Sequence, residues 1–274
     1  MNSSKTVRAL IEGAMMVALA TVLSIFKIIE MPYGGSVTLA SMLPMVIYAY
    51  RHGVLKGLGA GAVYAVLQQL LGLNTLSYVT GWQSVVAVIM LDYIVAFMIV
   101  GLGGVFKRLT KTQSGAFALG ALLVTVLRYV CHVISGATVW AGLSIPSSAA
   151  LIYSIGYNAT YMLPEGIILV AVAYYLGGAV DFSKPQPMRM QRSQRASENT
   201  QSLYFLSGIS ALLGLIVDVY LIAPNLQDEE TGEFIFRGLA NVDWLSASIV
   251  TVLAVGLSVS LFVIAKKKKT GTEG

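Results

Sequence analysis

Charge is what this sequence has least of. Only 11% of its 274 residues are Asp, Glu, Lys or Arg, where a soluble domain carries about 25%. That scarcity excludes an ordinary soluble globule. Cysteine is nearly absent as well. The single one, Cys131, lies in an apolar run, so there is neither a disulfide framework nor a cysteine metal site. Two histidines cannot build a histidine-rich metal centre. No G-x-x-x-x-G-K-[ST] occurs, so the chain does not hydrolyse ATP through a P-loop. H-E-x-x-H and G-x-S-x-G are missing too, which removes two common hydrolase routes and leaves no sign of an enzyme. No internal repeat stands out, and this weighs against an inverted-repeat transporter. Neither a cofactor nor a metal is expected.

What the chain does have is hydrophobic length. Apolar residues make up 56% of it, and the mean hydropathy is +0.75. A helix needs about 20 apolar residues to cross the hydrocarbon core. Eight stretches are candidates: Val7 to Ile29, Val37 to Tyr50, Gly53 to Leu73, Gln83 to Phe106, Gly115 to Gly142, Ala149 to Leu176, Leu203 to Ala223 and Trp244 to Ala265. The second is short, so it is either tilted or joined to the third as a hairpin around Arg51-His52-Gly53. Lys5 and Arg8 precede the first, but its apolar run outlasts a signal-peptide core of about 7–15 residues, so it is expected to stay. The sequon at Asn158 lies inside a span and is set aside.

Charge placement tests that arrangement. With the N-terminus in the cytoplasm and sides alternating, 15 of the 18 Lys and Arg residues fall inside. The loop between the last two spans instead holds Asp228, Glu229, Glu230 and Glu233, opposed only by Arg237. Both termini are therefore expected in the cytoplasm. The net charge of +5 reflects this bias rather than nucleic-acid binding. Residues 181–201 are polar, basic and proline-containing, as a linker is. The expected organisation is a membrane domain at 1–180, that linker, and a two-helix appendix at 202–274 with a lysine-rich tail.

Polar side chains at membrane depth are expensive and usually face a bundle interior or a watery cavity. The fourth span carries Asp92 and Tyr93. The fifth carries Arg128, Tyr129, His132, Ser135 and Trp140, and the sixth Tyr153, Ser154, Tyr157, Asn158, Tyr161 and Glu165. At about 1.5 Å per residue, Asp92, His132 and Asn158 all lie roughly 12–13 Å below the outer surface. Hydrogen bonds between helices would account for any one of them. Their common depth points instead to a pocket open to the outside. Arg128 sits deeper and is expected to pair with Asp92 or Glu165.

Three segments carry a resemblance. They are Leu91 to Phe97, Leu127 to Tyr129 with His132 to Gly136, and Tyr153-Ser154 with Tyr157 to Tyr161. Met31 to Val37 and the Arg51-His52-Gly53 turn fit the same pattern. In order and spacing, over about residues 5–180, the chain resembles the thiamine-specific substrate-binding subunit (S component) of energy-coupling-factor vitamin transporters. The resemblance implies an all-α, polytopic bundle of six helices in the bacterial plasma membrane, here followed by two additional transmembrane helices. It implies capture of thiamine from outside and docking, within the lipid bilayer, on a module of one scaffold subunit and two ATPases. Binding roles would fall to Asp92, Tyr93, His132, Trp140, Tyr153 and Asn158. Some members have glutamate in place of Asp92, and some carry a first-loop tryptophan where this chain has Gly34-Gly35, leaving Trp82 as a substitute. Ala14 and Ala18 form a small-xxx-small pattern suited to a partner helix.

The chemistry is compatible. Thiamine joins a permanently cationic thiazolium to a flat aminopyrimidine. A desolvated cation favours a carboxylate and an aromatic face, and Asn and His match the pyrimidine's donors and acceptors. Two other readings stand beside this one. One is a self-sufficient secondary transporter relaying protons through Asp92 or Glu165. The other is an intramembrane enzyme with His132 as base and Asp92 as its orienter.

Overall fold

The computed structural model describes residues 3–31, 34–79, 81–142, 147–190, 203–211, 213–214, 217–218, 221–222, 225 and 236–270. Among these, six helices are long and apolar enough to cross a bilayer. The protein is all-α and multi-pass, as the sequence leads one to expect. Helices α1 (Ser3–Ile25), α2 (Leu43–His52), α3 (Val54–Leu71), α4 (Trp82–Arg108), α5 (Gln113–Gly142) and α6 (Ser147–Ala179) make up the first of two compact units, Met1–Met190. Every one of them except α2 is a membrane-length helix.

The first two expected spans are corrected. Helix α1 stops at Ile25, and residues 27–29, read as its end, belong to a strand instead. Strand β1 (Lys27–Glu30) pairs antiparallel with β2 (Ser36–Thr38), in the register Lys27 with Thr38 and Glu30 with Ser36. The β-branched Ile28 and Ile29 suit an extended backbone, and the return is made at Gly34 and Gly35, with φ of +100° and +89°. Only glycine adopts such angles freely. The second expected span shrinks to α2. Ten residues rise about 15 Å, half a bilayer, and Leu43 through Tyr50 are all buried. Gly53, with φ of +92°, reverses the chain directly into α3. The hairpin alternative is thus the one observed.

Small residues bring the helices together. A Cβ on Gly101 would meet backbone atoms of Gly57 at 2.2 Å, and one on Gly120 the carbonyl oxygen of Gly103 at 2.0 Å. Helices α3, α4 and α5 therefore touch at backbone distance, as membrane helices do. Around this seam Val46, Tyr64, Val100, Phe117, Val124 and Leu169 form the apolar core.

One end of the unit is fastened by charge. Arg51, beside the α2–α3 turn, pairs with Glu12 of α1 and donates to the carbonyl oxygens of Phe182, Lys184 and Pro185. Strands β3 (Val180–Asp181) and β4 (Met188–Arg189) pair in the same stretch. Residues 181–190, read as linker from composition, are thus built onto the first unit.

The second unit spans Gln191–Gly274. Helix α7 (Trp244–Thr270) has no polar face as far as Ala265, ends in Lys266 to Lys269, and starts at an Asp243 cap. Asp243 accepts from the side chain and backbone N–H of Ser246, bonds that hold its carboxyl below the usual carboxylate range. The seventh expected span, Leu203–Ala223, falls partly outside the described residues, though 203–211 are helical. Ser207 and Ser258 exchange hydrogen bonds at 2.9 and 2.8 Å, and Ser210 donates to the Ala254 carbonyl at 3.1 Å. Partners that fall in one helix as they rise in the other make this an antiparallel pair.

Candidate functional site

A cavity of about 830 Å³ opens within the first unit, inside the usual size range for small-molecule sites. It is bounded by the β1–β2 hairpin and by helices α1, α3, α4, α5 and α6. Its chemistry begins on α4. Between Val88 and Val95 this helix widens into a π turn, a distortion that recurs at functional sites. Asp92 and Tyr93 sit in that turn and line the cavity.

Asp92 is held by α5. His132 Nδ1 lies 2.7 Å from its Oδ1, and Ser135 Oγ donates to its Oδ2 at 2.8 Å. One turn below His132, Arg128 Nη1 is 3.6 Å from Glu165 Oε2 of α6, with both side chains buried. The guanidinium also lies over the Phe97 ring at 4.4 Å and approaches His132 Nε2 at 3.4 Å. Glu165 accepts from the Thr38 hydroxyl at 2.9 Å, which ties it to strand β2. The choice left open for Arg128 therefore falls on Glu165.

Asn158 lines the wall with both ends of its amide engaged. Its Nδ2 donates to the carbonyl oxygens of Ser154 and His132 at 2.9 and 3.2 Å, and its Oδ1 accepts from Tyr161 at 2.6 Å. Tyr93 donates to the Gly72 carbonyl or Thr75 Oγ1, each 3.0 Å away. Tyr157 donates to the Gly34 carbonyl at 2.9 Å and thereby latches the hairpin turn to α6.

Of the six binding residues expected from sequence, Asp92, Tyr93, His132 and Asn158 meet at this cavity. Tyr153 does not line it. That ring is 48% exposed and stacks at 6.2 Å on Tyr157, which does line it. Trp140 lies on α5, and its side chain is outside the described residues. Trp82 is 72% exposed and not part of the wall, so it replaces no first-loop tryptophan there. Ala14 and Ala18 are exposed on α1, whereas Gly13, Val17 and Ala20 face inward.

Sequence reasoning missed the hairpin pair Lys27 and Glu30, 2.5 Å apart at the cavity's edge, because both positions lay within or beside a supposed span. It also passed over Thr38 and Phe97 as wall residues. Tyr157 and Tyr161, read beside Asn158 as part of the polar cluster at membrane depth, do line the wall.

The arrangement is not that of a hydrolase. A serine nucleophile must bond to the imidazole that takes its proton. Here Ser135 bonds to Asp92, and His132 Nε2 faces a guanidinium. No group of three or more His, Cys, Asp or Glu suited to a metal occurs among the described residues.

Residues 10–181 match the family described as thiamine transporter protein (Thia_YuaJ). Among curated relatives, thiamine transporter ThiT of Bacillus subtilis (strain 168) is 37% identical over 183 residues, covering 63% of this chain and 91% of that protein. Thiamine transporter ThiT of Lacticaseibacillus paracasei is 24% identical over 188 residues, covering 63% and 88%. The solved structure of ThiT from Listeria monocytogenes is similar in fold, with a TM-score of 0.51 and 23% identity over 63% of this chain and 94% of that one.

Proposed function

The chain belongs to the thiamine transporter protein (Thia_YuaJ) family, and on that premise we propose that its cavity takes thiamine from outside the cell. One observation carries the reading. The wall holds three carboxylates, Glu30, Asp92 and Glu165, against two fixed cations, Lys27 and Arg128. Lys27 is matched with Glu30 and Arg128 with Glu165. Asp92 is left with His132 and Ser135. A half-buried carboxylate with no fixed cation among its described partners suits a ligand that brings its own positive charge. The aromatic faces of Tyr93, Tyr157 and Tyr161 border the same space and suit the flat aminopyrimidine. Trp140 retains the stacking role that the family resemblance assigns it.

In this reading both termini lie in the cytoplasm and the hairpin faces outward. Transport is driven by a separate module of one membrane scaffold and two ATPases, since the sequence contains no P-loop. Ala14 and Ala18, exposed on α1, offer the scaffold a close approach.

Reconstitution tests the division of labour. Alone in liposomes, the protein binds thiamine without accumulating it. Scaffold and ATPases restore ATP-dependent uptake, and Ala14→Leu or Ala18→Leu lowers uptake while binding is kept. Gradient-driven accumulation by the lone chain would establish a secondary transporter instead.

Two smaller predictions follow from the geometry. Deletion after Met190 leaves thiamine binding intact, whereas deletion after Asp181 destabilises the unit by removing the carbonyls that hold Arg51. Thermal melting and binding of the two truncations separate these outcomes. Tyr157→Phe loses the bond to the Gly34 carbonyl. One hydrogen bond contributes about 0.5–1.5 kcal/mol, so stopped-flow measurement is expected to show thiamine release faster by roughly two- to tenfold.

A further inference from the structure

His132 sits between a carboxylate and a guanidinium, and the two neighbours make different demands on its ring. On one side, Nδ1 is 2.7 Å from Asp92 Oδ1. On the other, Nε2 is 3.4 Å from Arg128 Nη2. A guanidinium has only N–H donors and no acceptor, so a hydrogen on Nε2 would face another hydrogen. An ionised carboxylate only accepts, so a bare Nδ1 would face a lone pair. Donor and acceptor match in one arrangement alone, with the hydrogen on Nδ1 and none on Nε2.

The groups packed around the ring agree. Across from α5, α4 presents Asp92 and α6 presents Tyr161, whose ring is 6.2 Å from the imidazole. On α5 itself, Arg128 is one turn away, and Glu165 of α6 stands behind it. Glu165 in turn accepts from Thr38. Arg128 is thus clamped by Glu165 and covered by the Phe97 ring, which holds its guanidinium toward Nε2.

We infer that Arg128 is a positioning residue that fixes His132 as the neutral Nδ1–H tautomer, so that the negative charge of Asp92 is kept for a cationic ligand. An imidazolium at this place would neutralise Asp92 before any ligand arrived. A neutral ring donates to the carboxylate and orients it without cancelling its charge. Arg128, itself matched by Glu165 at the cavity wall, sets the charge of this site through His132 and Asp92. The tautomer follows from the ring's neighbours alone, and its consequence for affinity rests on the thiamine reading above.

The chain has two histidines, His52 and His132, which makes the ring directly observable. The test is nitrogen NMR of ligand-free, full-length protein with labelled imidazoles at neutral pH, with His52→Gln to assign the signals. Hydrogen on Nδ1 and a bare Nε2 at His132 is the expected result. Two protonated nitrogens, or hydrogen on Nε2, would overturn the inference.

A variant tests the cause. Arg128→Met combined with Glu165→Gln removes both charges together, so neither is stranded. The His132 pattern is then expected to change, with hydrogen appearing on Nε2, and thiamine affinity to fall at least tenfold. An unchanged ring in that variant would show that Arg128 does not set the tautomer. Should the double variant not fold, the wild-type spectrum still decides the tautomer. A wild-type ring in the inferred form, in a protein that binds no thiamine, would leave the tautomer standing and remove the thiamine reading.

Discussion

Asp92→Asn weakens thiamine binding by more than tenfold and leaves an uncharged aminopyrimidine fragment nearly unaffected. The substitution keeps shape and removes charge, since an asparagine Oδ1 in place of Oδ1 still accepts from His132. Only a ligand that brings a positive charge should register the difference. Losing one partner of a buried, hydrogen-bonded charge pair costs about 2–5 kcal/mol of affinity, and about 1.4 kcal/mol is one decade. Thiamine carries its charge on the thiazolium, which the fragment lacks. Calorimetric titration of both ligands against wild type and variant separates the cases. Equal losses would reduce Asp92 to a structural acceptor for His132 and Ser135.

Arg128→Met alone is expected to be the most destabilising substitution in the cavity. It leaves the Glu165 carboxylate, 4% exposed, with the Thr38 hydroxyl as its remaining partner among the described residues. Breaking a buried pair by removing one partner costs about 3–5 kcal/mol, most of it the stranded charge. Adding Glu165→Gln removes that charge and should recover most of the loss. Thermal unfolding in detergent reads the series wild type, single and double. A double variant no more stable than the single one would mean that the loss lies in packing against Phe97 and Met42 instead of in charge.

How far the sequence reaches is clearest at Asp92 and at Thr38. Asp92, His132 and Asn158 were legible because a polar residue in an apolar helix is costly, and three at one depth need a common cause. Helices α3 to α7 were legible for the related reason that long apolar runs have one stable form in a bilayer. The β1–β2 hairpin was not. Lys27 to Glu30 and Ser36 to Thr38 are short and run on from helical stretches, with Ile28, Ile29 and Val37 among them, so hydropathy absorbs most of them into spans. Only Gly34 and Gly35 mark the turn, and glycine is common in membrane helices as well. With the hairpin misread, Thr38 could not be placed on Glu165 nor Tyr157 on Gly34. Helix α2 failed for a different reason: eight residues buried by protein look in composition like eight residues buried by lipid.

The Arg128 partner shows the same limit at the scale of one side chain. Spacing put Asp92 and Glu165 both within reach, and nothing in a one-dimensional pattern separates them. The π turn of α4 turns Asp92 toward His132 and leaves Glu165 to the guanidinium. No periodicity rule anticipates an inserted residue in a helix, nor the 3-10 stretch Ile99–Arg108 that closes this one.

The central claim is that the cavity between α4, α5 and α6 holds thiamine through Asp92. Native mass spectrometry of the full-length protein, purified and incubated with thiamine and no other subunit, tests it most directly. The account predicts one thiamine per chain, with Asp92→Asn losing the adduct at the same ligand concentration. A wild-type protein that takes up no thiamine, or an Asp92→Asn protein that retains it fully, would contradict the claim.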